Sequence, residues 1–452
     1  MTTTVVLAGM FALGLAILAL PALGYLRITT ATFLFAAVVA PFPIIVWSPE
    51  IPSVTGIAHN SLSVTTYTLT LCFLTLGLVR QWKRNAWLMA YGLAITAYLL
   101  IGLLTVWSGA EAQWAGAIHW MFALLALVAG YQFGWQLTPY FYRQVIGLLL
   151  GLFAINGLLC IAQLAGLPVS LFPAQYIDNI ADGRPIGSFS HPSTLGKFVL
   201  ISLILVLPAL RSSDYVSRRL AWACVGLAVP LVALTLARAN LTAVGIAILL
   251  WLVFESNSWT RKPLRVALLL LVFALSAPII SATLERFSTD PGGGDRGRIY
   301  RAGLEQIQSN FWAGTGPNFY VEIVGQWDQM TAWGYPLHNS FLYPVAELGI
   351  IGGVLFMLPV FVVGAIAVVD CVGSTSPSPW SKAYLVTFPG MMIIAMTGWG
   401  MLIGSTLCLW FFAIGLCAGG ITQRNSGLFP STDSVSPSVG QSLPRFVSGQ
   451  HH

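Results

Sequence analysis

Apolar residues come in long uninterrupted runs, and polar residues are confined to the gaps between them. The runs occupy positions 4–24, 29–47, 62–79, 87–106, 114–136, 144–166, 194–210, 220–236, 239–255, 264–281, 341–369 and 384–420. Most approach the ~20 residues a helix needs to cross a ~30 Å hydrocarbon core, where each backbone amide must find its partner inside the segment. The last run is too long for one crossing and predicts a hairpin broken near Gly398-Trp399-Gly400. The pattern predicts an all-α, polytopic transmembrane bundle of 12–13 helices with a large, partly helical loop at 282–340. The first run lacks a basic start and a convincing cleavage site, so it reads as a span and not as a secretory leader. Three regions follow: transmembrane helices over 1–166, a core over 167–421 that includes the loop, and a tail over 422–452. The tail is rich in Ser, Pro and Gly without periodicity, which predicts disorder.

Composition agrees. Of 452 residues, 57% are hydrophobic and 8% charged, against roughly a quarter charged in a soluble domain. The net charge of +6 does not point to nucleic acid, because most Lys and Arg lie in short loops where they orient the helices. Arg80, Lys83 and Arg84, then Arg211, Arg218 and Arg219, then Arg261, Lys262 and Arg265 each fall between an odd run and the next even one or, for Arg265, at the even run's first turn. They share one face, the cytoplasmic one, with Arg27, Arg143 and Lys382. The six cysteines fall within or beside apolar runs without a C-x-x-C pair, so they read as small core residues. No internal repeat is evident, and with it the sign of paired transporter halves is missing.

The same topology places a second set of cations outside: Arg184, Lys197, Arg238, Arg286, Arg296, Arg298 and Arg301. Their placement opposes the orienting bias, and an anionic ligand at the outer surface would favour it. Arg238 lies in Leu234-Thr235-Leu236-Ala237-Arg238, which leaves almost no loop between two spans; a snorkelling interfacial arginine is the plain alternative. Arg184 sits among turn formers, where an ordinary solvated arginine also fits. Lys197, near the start of the following helix, either snorkels or reaches the same place. In the long loop Tyr300, Leu304, Ile307 and Phe311 recur at helical spacing and predict an amphipathic helix over 298–311, with Arg298, Arg301, Glu305 and Gln308 on its other face. Asp295 is suited to cap it, after a hinge of Pro291 and three glycines.

His338 follows Leu337 and precedes Asn339 at the mouth of a helix. A neutral imidazole there suits removing a proton from a hydroxyl; capping the helix is the structural alternative. His191, beside Pro192, is a second candidate. No D-x-D, H-E-x-x-H, G-x-S-x-G or Walker pattern appears, so no metal, cofactor, serine nucleophile or nucleotide is expected. Gly314-Thr315-Gly316 is too short for a phosphate cradle and reads as a turn, and Glu347 as a locally bonded carboxyl.

Together these segments resemble the O-antigen ligase and polysaccharide polymerase family of bacterial membrane proteins, over roughly residues 180–420. Arg184 with Gly187 is similar to the family's R-x-x-G-x-F segment, and Arg238 to its T-x-S-R turn, with Ala237 in place of the usual Ser. Arg298 with Gly314 and Gly316 resembles its Arg, helix and G-x-G run. His338-Asn339 with Glu347-Leu348-Gly349 resembles its H-N-x(n)-E-x-G signature. The resemblance implies a donor glycan on undecaprenyl diphosphate and a glycan, lipid or protein acceptor, joined at the outer face of the cytoplasmic (inner) membrane. It implies His338 as base; Arg238, Arg298, Arg184 and Arg301 on the diphosphate; and Asn339, Gly314, Gly316 and Lys197 in support. Ligase and polymerase share this chemistry and are not separated by it. A transporter or flippase of lipid-linked glycans is the alternative class, and it expects ionisable residues in mid-span.

Overall fold

Among the described residues helices fill most of the apolar runs, because a chain in hydrocarbon has no solvent to complete its backbone hydrogen bonds. The computed structural model describes residues 83–167, 183–255, 296–398 and 404–423, together with 43–47, 62–78 and a few isolated positions. In chain order the helices are α1 (Thr66–Leu78), α2 (Ala86–Ile101), α3 (Glu111–Trp135), α4 (Pro139–Leu164), α5 (Pro192–Ala209), α6 (Tyr215–Leu234) and α7 (Arg238–Glu255). There follow α8 (Arg296–Ser309), the short α9 (Tyr320–Val324) and α10 (Gln329–Ala332), then α11 (Leu342–Gly373), α12 (Pro379–Thr397) and α13 (Gly404–Thr422). Among the described residues seven helices are long and apolar enough to span a membrane. The chain is an all-α, multi-pass membrane protein, and the long final run is the hairpin its glycines predict. The runs at 4–24 and 264–281, most of 29–47, Arg286, the glycine hinge with Asp295, and nearly all of the tail lie outside the described residues.

One departure is local. The end of the second run and the start of the third pair as an antiparallel ribbon, β1 (Pro43–Trp47) with β2 (Leu62–Thr65), in the register Ile44 to Val64 and Ile45 to Ser63. Pro41 and Pro43 oppose a helix there, and the Ile-Ile-Val sequence that follows is β-branched.

The bundle is built around α5 and α13, whose apolar windows are 94% and 89% buried within the protein. Glycines set the closest contact. Gly130 and Gly134 of α3 face Gly415 and Gly419 of α13, and a Cβ on any of the four would lie 2.0–2.2 Å from a carbonyl oxygen of the other helix. Small residues four apart let two backbones approach within lipid, where dispersion and packing hold helices together.

Charge divides the bundle into two ends. Lys83 is joined through its backbone to Gln132 at the C-terminal end of α3, and Arg218 donates to the carbonyl of Ser212 in the turn before α6. With Arg84, Arg143, Arg211, Arg219 and Lys382 these residues lie at one end. Residues 107–110 after α2, residues 183–191 before α5, the α6–α7 turn, the segment from α8 to His338 and Gly398 after α12 lie at the other.

Candidate functional site

At this second end, side chains buried in α4 fasten the segment that carries Arg184. The Oε1 of Gln163 accepts from the amides of Ile186 (2.9 Å) and Gly187 (3.0 Å), and its Nε2 donates to the Gly187 carbonyl. Asn156 Oδ1 accepts from both the amide and the hydroxyl of Ser188 at 2.9 Å. Gly187 has φ +60°, and a Cβ on it would lie 2.5 Å from Asn156 Oδ1. The glycine is therefore required twice, by its left-handed backbone and by the close approach.

The segment runs into α5, where His191 is the N-cap and Pro192 the first helical residue. The Ser193 amide donates to His191 Nδ1 at 3.1 Å. Ser193 is also a hub for its neighbours. Lys197 Nζ donates to Ser193 Oγ at 2.6 Å, and Asn240 Nδ2 donates to the Ser193 carbonyl at 2.9 Å. Asn240 belongs to the first turn of α7, two residues after Arg238. The helices meet this closely because Gly196 leaves the space: a Cβ there would be 2.4 Å from Asn240 Nδ2. The turn before Arg238 is tight, with Leu236 at φ +52° and Thr235 Oγ1 bonded to the Val232 carbonyl. Such a conformation in a leucine persists only where the surroundings hold it. Lys197 is only 5% exposed, and Arg184 and Arg238 are half-buried.

His338 arrives from the other direction. Its Nδ1 lies 2.7 Å from the Pro336 carbonyl oxygen. A carbonyl only accepts, so Nδ1 carries the proton and Nε2 of the neutral ring carries the lone pair. The loop is held on three sides. Tyr300 of α8 sets its one hydroxyl proton between the carbonyls of Met396 (2.8 Å) and His338 (3.1 Å), and Asn339 Nδ2 donates to the Tyr300 hydroxyl. Asn339 Oδ1 accepts from the amides of Phe341 and Leu342, and Ser340 Oγ donates to the Gly398 carbonyl in the α12–α13 turn. Leu337 packs on Gly303, where a Cβ would collide with it at 2.7 Å. Burial, and then the positive charges of Arg296 and Lys197, push the His338 pKa below its ordinary value against the opposing Pro336 hydrogen bond. At His191 desolvation, followed by Lys197 and Arg184, acts in the same direction. Lys197 thus lies within electrostatic reach of both imidazoles.

The remaining predicted residues fall around this centre. Helix α8 forms, but its buried face is Ile299, Ala302, Gly303, Gln306 and Ile307, while Leu304 and Phe311 are exposed. The helix is rotated by about one residue step, ~100°, from the spacing-based reading. The reason is that α8 packs on Leu337 and the α9 segment through small residues. Arg298 is exposed, and its Nε bonds Asp328 Oδ1 at 3.0 Å. Asp328 also accepts from the amide and hydroxyl of Thr331; these bonds and Arg298 hold its carboxyl below the usual range, against the effect of its desolvation. Arg301 is exposed as well. Arg296 is the α8 arginine whose charge reaches His338.

Gly314 and Gly316 serve packing. The amides of Thr315 and Gly316 donate to the carbonyls of Ala346 (3.1 Å) and Glu347 (2.7 Å). The Ile350 amide donates to the Phe311 carbonyl, and Tyr98 to the carbonyl of Leu348. These bonds answer a break in α11 at Gly349, φ +69°, which frees carbonyls that a continuous helix would occupy. A Cβ on Gly314 would lie 2.3 Å from the Glu347 oxygen, and one on Gly349 2.0 Å from that of Trp312. The Glu347 carboxyl is turned inside, against the amides of Asn318, Phe319 and Tyr320.

Asn156, Gln163, Ser193 and Asn240, which fasten the site, have no place in the sequence-based assignment, and Tyr300 enters it only as an apolar position of α8. The signal of the first four was a polar amide or hydroxyl inside or next to an apolar run. Residues 222–357 match the family model described as O-antigen ligase. The match contains Arg238, Arg296, His338 and Glu347, and stops short of Arg184, His191 and Lys197. No curated protein matches the chain.

Proposed function

We propose, from the premise that the chain belongs through residues 222–357 to the O-antigen ligase family, that His338 is the base of its glycan transfer. The donor is a glycan on undecaprenyl diphosphate, and the acceptor is a hydroxyl at the outer face of the bacterial cytoplasmic membrane. His338 Nε2 takes the proton of the acceptor hydroxyl as its oxygen bonds to the anomeric carbon. The bond from that carbon to the phosphate oxygen breaks, and its electron pair leaves on undecaprenyl diphosphate. Attack from the face opposite the leaving group inverts the anomeric centre. Arg184, Arg238 and Arg296, with Lys197 in support, stabilise the charge that develops on the diphosphate, so that no metal is required. Arg298 and Arg301 have an outer part, steering the anion and shaping the loop. Asn339, Gly314 and Gly316 hold the base and the loop in place.

The observation that carries this reading is the His338 ring: its Nδ1 is bonded to Pro336, and burial with two cationic neighbours keeps it neutral. A transporter would need ionisable groups in mid-span. In the described long helices every Asp, Glu, Lys and Arg lies within about two turns of an end. The test is transfer of a labelled lipid-linked oligosaccharide to acceptor by purified protein in detergent, without gradient or nucleotide. His338→Ala is expected to lower kcat by about 10²- to 10⁴-fold with donor binding retained. Normal turnover in that variant would remove His338 from the chemistry.

A further inference from the structure

The two histidines at this end of the bundle are fixed in opposite tautomers. His338 gives its Nδ1 proton to the Pro336 carbonyl and so presents a lone pair at Nε2. At His191 the Ser193 amide donates to Nδ1. That nitrogen must be unprotonated, so the proton of the neutral ring is on Nε2. The first arrangement makes a base. The second makes a neutral donor, and one that cannot take a further proton at Nδ1 without losing the cap bond.

Around His191 the structure collects features suited to an anion. The residue is exposed at the N-terminus of an 18-residue helix whose first amides are taken up by His191 itself, so that what the helix offers an anion there is its dipole and the His191 ring. Six residues on, Lys197 is buried at 5% exposure with Ser193 as its hydrogen-bonding partner, and no carboxylate pairs with it among the described residues. Retaining an ammonium there is unfavourable unless a negative group completes it. Arg184 supplies a further positive charge on the same side. A neutral donor beside two cations adds a hydrogen bond to a phosphate oxygen without adding to their mutual repulsion.

We infer that His191 donates its Nε2 proton in a hydrogen bond to a phosphate oxygen of the donor's diphosphate, so that one imidazole acts on the leaving group while His338 acts on the acceptor. This rests on the proposed transfer reaction for the identity of the ligand, but the anion site itself is testable alone.

Two substitutions separate the donor from the cap. Asn places an oxygen where Nδ1 stands and is a strong N-cap, but it does not reach the position of Nε2. Gln places an amide nitrogen near that position and forfeits the cap. Binding of inorganic pyrophosphate to the purified full chain, read by thermal shift, is the first measurement. His191→Asn is expected to weaken it about ten- to a hundredfold, the cost of a hydrogen bond to a charged group. His191→Gln is expected to stay within about threefold of the parent. The unliganded melting temperature should show the reverse order, with Gln lower and Asn unchanged. Pyrophosphate binding that survives in Asn, or is lost in both variants, overturns the inference. The second measurement is transfer: the same order in KM for the lipid-linked donor supports the full reading. Absence of transfer by the parent chain, with the pyrophosphate order intact, would sink the proposed reaction and leave the anion-donor role standing.

Discussion

The cations at the site end of the bundle stand on two different footings. Arg298 and Arg301 of α8 project from an exposed helical face, and Arg298 has a carboxylate partner in Asp328, with 52% of its side chain open to solvent. At the start of α5, Lys197 is buried among apolar helices and held by a serine hydroxyl and a backbone carbonyl. An exposed ion pair is nearly neutral in free energy and is easily kept for reasons unconnected with ligand. A buried ammonium without a counter-charge is unfavourable in the empty protein and becomes favourable when an anion enters. Sign of charge therefore does not rank these residues, whereas burial and pairing do.

The strongest way to break that comparison is to remove the buried charge while keeping its volume. Lys197→Met is expected to leave thermal unfolding unchanged or to raise it, because a well-packed apolar side chain replaces an ion. Pyrophosphate binding and donor affinity should fall about ten- to a hundredfold. A variant that loses stability and keeps its affinity would show that Lys197 serves the fold.

The ranking was only partly open to a reader of the sequence. Run length and the unbroken apolar character of the spans made the bundle legible, and so did the glycine break in the final run, since each follows from the thickness of the membrane. Arg184, Arg238 and His338 stood out because a charged or ionisable group at the wrong end of a span is conspicuous. What failed to appear was anything decided by contact. The phase of α8 is set by Gly303 accepting Leu337, not by which of its faces is more apolar. Lys197 and Arg298 look alike as letters; one is separated from solvent by α5's central place in the bundle, and the other is paired by an aspartate thirty positions on. The tautomers of His191 and His338 depend on single backbone groups, the Ser193 amide and the Pro336 carbonyl, that no spacing reveals.

A smaller effect is expected on the exposed side. Arg298→Gln removes an ion pair worth about 1 kcal/mol or less, and Asp328 keeps its bonds from the amide and hydroxyl of Thr331. Stability should change little, and transfer should remain within about threefold of the parent, a limit set by the same weak coupling. Loss of transfer as deep as that of Lys197→Met would mean that Arg298 leaves Asp328 for the substrate, and the distinction between paired and unpaired cations would collapse.

The finest test concerns which arginine of α8 reaches the base. Burial first, and then the charges of Arg296 and Lys197, lower the His338 pKa. The base must be neutral to accept a proton, so activity is present above that pKa and lost as pH falls through it. Because the shift is downward, the acid limb of kcat/KM should lie below the ordinary imidazole value of about 6.5. Arg296→Gln deletes one repelling charge, which makes protonation easier and moves the limb to higher pH, towards the ordinary value. At a pH well above the limb this variant and the parent should differ only through donor binding. Arg298→Gln, two residues further along the same helix, should leave the limb where it is, since its charge is engaged by Asp328 and does not act on His338. Measuring kcat/KM against pH for the parent and both variants distinguishes the two. A limb that moves with Arg298 and stays fixed with Arg296 would show that α8 presents a different face to the base from the one described.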